Sequence, residues 1–429
     1  MMSNSLRVLG ALGVFSLVGF AAAQTLTLDD ALRLAKERNG TIRAAVYNTD
    51  SARSRVRESF GAFLPTITPT FSYVDSRQDQ GTGNPSVFSS RQSRTELDAS
   101  WRLLDSGQRL FAYNGSRKSL EAQQYNSLQT LRQTLFTVHQ QYYDALRAQE
   151  LLRVADSQVA RAQKVLDQTK AQVEAKLAPR KDILQAEADL ANAKVQRLTA
   201  KNRETTTFAT LRATIGWEAG QAFPTLVAAK EPATMGVQGD LESLIKESLA
   251  RRADLLALNR QIDAQRATLY TAERQASINW ALDAAFTQGW ASNRYQNRSL
   301  SFNVSLPLFD GNISRENVRQ ANLAIDASKT NLVQAEREAR SEVESEYLNL
   351  TANAERVAAA KAAVEAARLN YQAAEESFRL GAEGTSIVVV LTAQVSLVTA
   401  ESNYIESIYD YLISDVRLRL VTGQSVPGE

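Results

Sequence analysis

The 429-residue chain contains no cysteine. That excludes disulfides, thiolate zinc sites, a cysteine nucleophile and a lipid-modified N-terminal cysteine. It contains one histidine, His139, in a helical stretch near Tyr142 and Tyr143 and without carboxylates beside it, a poor ligand set for a metal. An excess of one charge is also missing: 49 Lys and Arg face 47 Asp and Glu, for a formal net charge of +2. A nucleic-acid binder would carry a basic excess. No Gly-rich phosphate loop and no nucleophile elbow occurs, so an enzyme reading has no constellation to stand on and no cofactor is expected. Asp29 and Asp30 read as helix-capping acids. The stretch from Glu336 to Glu346 reads as a solvated helix face. Proline (8) and glycine (19) are sparse, while Ala, Gln, Glu, Arg and Leu dominate. This composition favours long helices.

The N-terminus has the form of a secretory signal. Arg7 precedes an apolar stretch from Val8 to Phe20, and Ala21, Ala22 and Ala23 give an Ala-x-Ala cleavage pattern before Gln24. Residues 1–23 are therefore expected to be removed. No later run of 18 or more apolar residues occurs. A membrane span, if there is one, is expected to be built from strands.

Proline and glycine are missing from Ser116 to Leu177, and again from Asn312 to Leu380. Each run can form a helix of about 90–100 Å, which needs packing along its length. Leu131, Leu135, Val138, Tyr142 and Ala145 step by 4, 3, 4, 3, as do Val343, Tyr347, Leu350, Ala354 and Val357. Shorter helices are expected from Thr27 or Asp29 to about Phe60, from Lys181 to about Thr214, from Asp240 to about Ala276, and from Ser386 to Val421. Landmarks recur across the chain: Leu104-Asp105-Ser106-Gly107 matches Phe309-Asp310-Gly311-Asn312, and Ile215-Gly216 matches Thr422-Gly423. We read a duplication, with a first repeat over 24–216, a connector over 217–239, a second repeat over 240–423 and a tail over 424–429.

Each repeat holds a hairpin, at about 66–104 and about 279–308, with strands of period two. Their length suits a tilted transmembrane strand. Trp101, Trp280 and Trp290 fall on or beside these strands, where interfacial aromatics belong. The polar segments Asp75 to Arg94 and Ala291 to Asn297 read as surface loops. Four strands cannot close a barrel, and an open edge cannot sit in lipid. Two chains would give eight strands with a filled interior, and three would give twelve with a lumen. Glu96, Asp98, Asn303 and Ser305 on the inward faces favour the wet lumen.

Leu306-Pro307-Leu308-Phe309-Asp310-Gly311, followed by Arg315, Val318 and Ala321, resembles the turn from strand into long helix in the TolC family of outer-membrane efflux proteins. Phe63-Leu64-Pro65 and Trp101-Arg102-Leu103-Leu104-Asp105 carry the same resemblance. It implies a mainly α fold with a small β part: a trimeric α-helical barrel continuous with a shared 12-stranded transmembrane β-barrel. It implies an export channel in the outer membrane, extending into the periplasm, with a periplasmic adaptor protein and an inner-membrane transporter as partners. Outer-membrane lipid would surround the barrel.

By the same resemblance the adaptor-docking turns are Lys176, Leu177 and Ala178 in one half and Leu380, Gly381 and Ala382 in the other, with Lys176 where the family's small-residue turn has glycine. Asp182 matches an acidic gate position of the family, whereas Val389 and Thr392 stand at the corresponding positions of the second half. Two readings hold for the run Ile387 to Leu391: a dewetting apolar ring at the closed tip, or ordinary packing between helices. A periplasmic coiled-coil adaptor or scaffold would share the signal and the long helices. It would not account for four matched amphipathic strands.

Overall fold

A computed structural model describes residues 25–79, 87–218, 220–221, 223–228, 235–237, 239–291, 293–380 and 386–429. The signal-like segment, Gln24, and Gly381 and Ala382 of the second turn lie outside the described residues. The elements in chain order are β1 (Thr25–Leu26), α1 (Leu28–Arg38), α2 (Gly40–Gly61), β2 (Thr66–Asp79), β3 (Val87–Asp105), α3 (Gln108–Glu174) and α4 (Lys181–Thr214). Then come β4 (Thr225–Leu226), α5 (Leu241–Arg251), α6 (Ala253–Gln275), β5 (Asn279–Trp290), β6 (Arg294–Ser305), α7 (Ile313–Arg379) and α8 (Ile387–Val421). The two long helices, α3 and α7, each have 67 residues.

Both heptad stripes are buried, but not against a single partner helix. The Leu135–Ala145 stripe packs with Leu32 and Ala35 of α1, with Tyr409 and Val416 of α8, and with Leu26 and Leu226. The Val343–Val357 stripe packs with Leu244 of α5 and with Tyr411 and Leu418 of α8. A third cluster joins α3, α4, α7 and α8 at the far end, through Val165, Leu190, Tyr371, Phe378, Val390 and Leu397.

The connector packs too. β4 pairs in parallel with β1, Thr225 with Thr25 and Leu226 with Leu26. The Tyr142 hydroxyl lies 2.9 Å from the carbonyls of both Leu26 and Val227 and can donate to either. The C-terminal tail is held by a contact of Pro427 O with His139 Nε2 at 2.9 Å and by the ion pair of Glu429 with Arg132, also at 2.9 Å.

Several sequence expectations need correction. The helix expected from Thr27 to about Phe60 breaks at Asn39, whose side chain caps α2 by accepting from Thr41 N and Ile42 N. The helix expected from Asp240 breaks at Arg252. The helix α3 begins eight residues before Ser116 and passes through Gly115, where a Cβ would come within 3.2 Å of Ala267 Cβ on α6. Here glycine allows close helix approach instead of ending the helix. β6 ends at Ser305, before Leu306 and Leu308, because Pro307 has no N–H to donate.

Much of the segment Asp75–Arg94 is strand, not loop: β2 and β3 stay in register from Asp75 opposite Arg91 to Asp79 opposite Val87. Arg294–Asn297 is strand as well. The extensions carry no apolar alternation in sequence and are held as strand by backbone pairing. Finally, α8 is long and apolar enough to pass for a membrane span by length and composition. It packs on α3 and α7 and buries Gln394 and Ser407, as a core helix does.

Candidate functional site

The four strands form one antiparallel sheet in the order β2-β3-β5-β6. Residues directly opposite one another share a face, so the pairing assigns the faces. The row Ile67, Ala99, Phe286, Arg298 lies on one face, with Phe71, Trp101, Leu300 and Phe302. Phe71 is 71%, Leu300 70% and Phe302 65% exposed. Among the described residues, no element of the protomer covers this apolar face, which a soluble core sheet could not leave bare.

The opposite face holds Thr66, Thr68, Asp98, Glu96, Ser301 and Asn303. Its polar groups pair laterally: Thr287 Oγ1 donates to Asp98 at 2.8 Å, Arg102 meets Asp283 at 2.9 Å, and Tyr295 donates to Glu96. Among the described residues, β2 and β6 are the free edges of the sheet within the protomer.

Two of the three tryptophans, Trp280 and Trp290, lie at the ends of the apolar face, while Trp101 stands on the same face opposite Ala284. Trp280 opens β5, opposite Val304, and Trp290 closes it, between Thr95 and Arg294. Ten residues at about 3.3 Å each, tilted by about 40°, give about 25 Å of height, which is the apolar band of an outer-membrane barrel. Trp101, near the helix end of β3, donates from Nε1 to Phe63 O at 2.9 Å.

The sheet enters the long helices through the duplicated Asp motif. Asp105 accepts from Arg109 N at 3.2 Å, and Asp310 from Ser314 N at 2.9 Å. The residues capping the two helices, Gly107 (φ 85°) and Asn312 (φ 68°), are both left-handed. Hydrogen bonds from Ser314 hold the Asp310 carboxyl below its ordinary range. One carboxylate four residues ahead therefore satisfies an otherwise orphan helix N–H in each half.

At the other end, α3 closes in a left-handed Lys176 (φ 59°), with Leu177 N donating to Gln172 O and Lys176 N to Val173 O. This is the helix stop that glycine usually makes. Lysine in glycine's place keeps the turn's geometry. Leu177 (77%) and Leu380 (66%) stand exposed at the two turns, with Ala178 beside the first. Asp182 sits in the first turn of α4. The run at the start of α8 divides between the two roles expected for it: Ile387, Val390 and Leu391 are core, while Val388, Val389 and Thr392 are exposed. Among the described residues, no hydrogen bond or ion pair joins Asp182 to Val389 or Thr392 within one protomer.

Polar links between the α3–α4 and α7–α8 hairpins escaped sequence reasoning. Arg161 meets Glu401 at 3.0 Å and Lys164 meets Glu375 at 2.7 Å. Gln172 donates to Phe378 O at 2.7 Å, and the buried Gln394 donates to Asp189 at 3.0 Å. Burial raises the Asp189 carboxyl, and Gln394 partly offsets it. Gln394 alone had a legible signal, a polar residue on the stripe of Val390, Leu391 and Leu397.

Second seams are exposed as well. Leu184, Ala188, Ala191, Val195 and Leu198 on α4 step by 4, 3, 4, 3. On α7, Leu348, Ala352, Ala359, Ala362, Ala366 and Leu369 follow the same heptad. Small apolar seams of this kind suit helix–helix packing.

Comparison with known proteins agrees with this geometry. The profile of the family described as outer membrane efflux protein matches residues 31–217 and 244–424. The chain is 26% identical to outer membrane protein TolC of Vibrio cholerae, over 97% of this chain and 94% of that protein. It is 24% identical to the alkaline protease secretion protein AprF of Pseudomonas aeruginosa, over 96% and 87%. The solved outer-membrane channel OprN superposes with a TM-score of 0.81 at 20% identity, covering 93% of this chain and 90% of that one. With a bare apolar sheet face at one end and paired helical hairpins at the other, the chain belongs to the outer membrane efflux protein family.

Proposed function

We propose that three copies of this chain close a twelve-stranded barrel and form the outer-membrane exit of a system driven from the inner membrane. The observation that carries this reading is the exposed apolar sheet face between two free edges. The strands alternate in direction, so β6 of one copy can pair antiparallel with β2 of the next. The same operation brings the exposed seam of α4 towards that of a neighbour's α7. The N-terminal signal, cleaved after Ala23, would send the chain out of the cytosol.

The turns at Lys176–Ala178 and Leu380–Ala382 would receive the hairpin of a periplasmic adaptor, which couples the channel to an inner-membrane transporter. Leu177 and Leu380 offer that hairpin apolar contact. Val389 and Thr392 would narrow the resting tip by dewetting, with Asp182 adding charge nearby.

The test is the mass and conductance of the signal-cleaved protein. A species of three chains, soluble only in detergent and conducting in planar bilayers, is expected. A monomer or dimer stable in plain buffer would overturn the reading.

A further inference from the structure

The outward face of the β5–β6 hairpin carries two arginines with no part in the conduit. Arg294 and Arg298 on β6 stand directly opposite Trp290 and Phe286 on β5. Their guanidinium carbons lie 6.0 Å and 5.8 Å from the two ring centres. Gln296 and Gln288 face each other in the row between. Cross-strand partners share a face, so this group belongs to the face of Leu300, Phe302 and Val304. Along β6 the face is apolar from Val304 to Leu300 and turns cationic at Arg298.

The other arginines of the sheet with described side chains have acids. Arg91 pairs with Asp75 at 3.2 Å, Arg94 with Glu96 at 3.6 Å, and Arg102 with Asp283 at 2.9 Å. Among the described residues, Arg294 and Arg298 have no carboxylate within ion-pair reach. A guanidinium over an aromatic ring is held flat, with N–H edges left for a planar or tetrahedral oxyanion.

Depth identifies the occupant. Four strand residues span about 13 Å, or about 10 Å of height at a 40° tilt. The headgroup layer is about 5–8 Å thick on each side of the hydrocarbon. Trp290 closes the apolar band, so Arg294 opposite it sits at the hydrocarbon boundary, and Arg298, four residues deeper, reaches the same level by extending its long side chain towards the headgroups. We propose that Arg294 and Arg298, with Gln288 and Gln296 between them, bind phosphate-bearing lipid headgroups of the outer leaflet. The site rests on the outward face being in lipid, as the channel reading requires.

The test uses the whole trimer in detergent with equal amounts of phosphatidylglycerol and phosphatidylcholine, with retained lipid counted by native mass spectrometry. The wild type is expected to retain the anionic lipid at least fivefold over the neutral one. Arg294→Gln with Arg298→Gln should bring that ratio to within twofold of unity. Arg91→Gln should leave it in place, because that charge is already matched by Asp75.

A wild type without preference, or a double variant that keeps it, overturns the site. So does equal displacement of bound lipid from wild type and double variant by inorganic phosphate. A double variant that falls into monomers also overturns it, since the arginines would then belong to the seam between copies. Conductance in neutral bilayers separates the two readings: a conducting wild type without lipid preference removes the site alone, and one that does not conduct removes both.

Discussion

His139 is almost fully buried, and its Nε2 lies 2.9 Å from Pro427 O. That contact makes Nε2 the donor, and leaves Nδ1 buried without a partner among the described residues. Burial pushes its pKa below the ordinary histidine value. The carbonyl of Pro427 and the charge of Asp29 oppose the shift, and Arg419 adds to it. With a lowered folded pKa, the unfolded chain takes up a proton that the folded chain refuses. Stability should be flat above about pH 6.5 and fall below it, by no more than about 1.4 kcal/mol per pH unit from this residue. His139→Gln keeps a donor to Pro427 and has no such proton. Its thermal midpoint should fall less between pH 7 and pH 5 than that of the wild type, and parallel curves would remove His139 from the account.

At the scale of elements, the two faces of the sheet make opposite demands. Leu300 stands near the middle of the outward face of β6, so Leu300→Lys sets a charge in hydrocarbon, at a cost of about 2–4 kcal/mol per copy. Heated samples should show the trimer dissociating at a lower temperature, while a lysine at Ser301, on the inward face, should leave it intact.

The period-two strands and the 4-3 stripes are legible in the sequence, because burial selects side chains directly. Helix breaks were less legible. Asn39 before Gly40 is a usable signal, but Arg252 before Ala253 is none. The second break goes with a contact from the far end of the chain. Gly423, left-handed at the end of α8, seats against the backbone of Arg251 and Arg252, where a Cβ would come within 2.7 Å. Gly216 seats against Arg38 in the same way. The charges linking the two hairpins were illegible for another reason. Arg161, Lys164, Glu375 and Glu401 sit among many similar residues on helices that are solvated elsewhere, and only tertiary packing brings them together.

At the scale of the whole molecule, the tip is where conduction would be set. Four helices pack there around Val165, Leu190, Phe378 and Val390, and the exposed Val388, Val389 and Thr392 border that core. Val389→Asp should raise the resting conductance of the assembled channel severalfold by wetting the constriction. Unchanged conductance would leave the exposed valine without a gating role. Arg161→Ala offers a comparison, since it loosens the hairpins without altering the exposed face.

The two 67-residue helices have a further consequence. Each spans about 100 Å, and each hangs from its own hairpin in the same sheet. The reach of the channel below the membrane is therefore specified twice, once in each half of the chain. A heptad removed from α3 alone would raise one side of the tip by about 10 Å and shear the core that joins it to the other. The same cut made in both helices would keep the tip level and shorten the whole shaft, so this length can change only in matched steps.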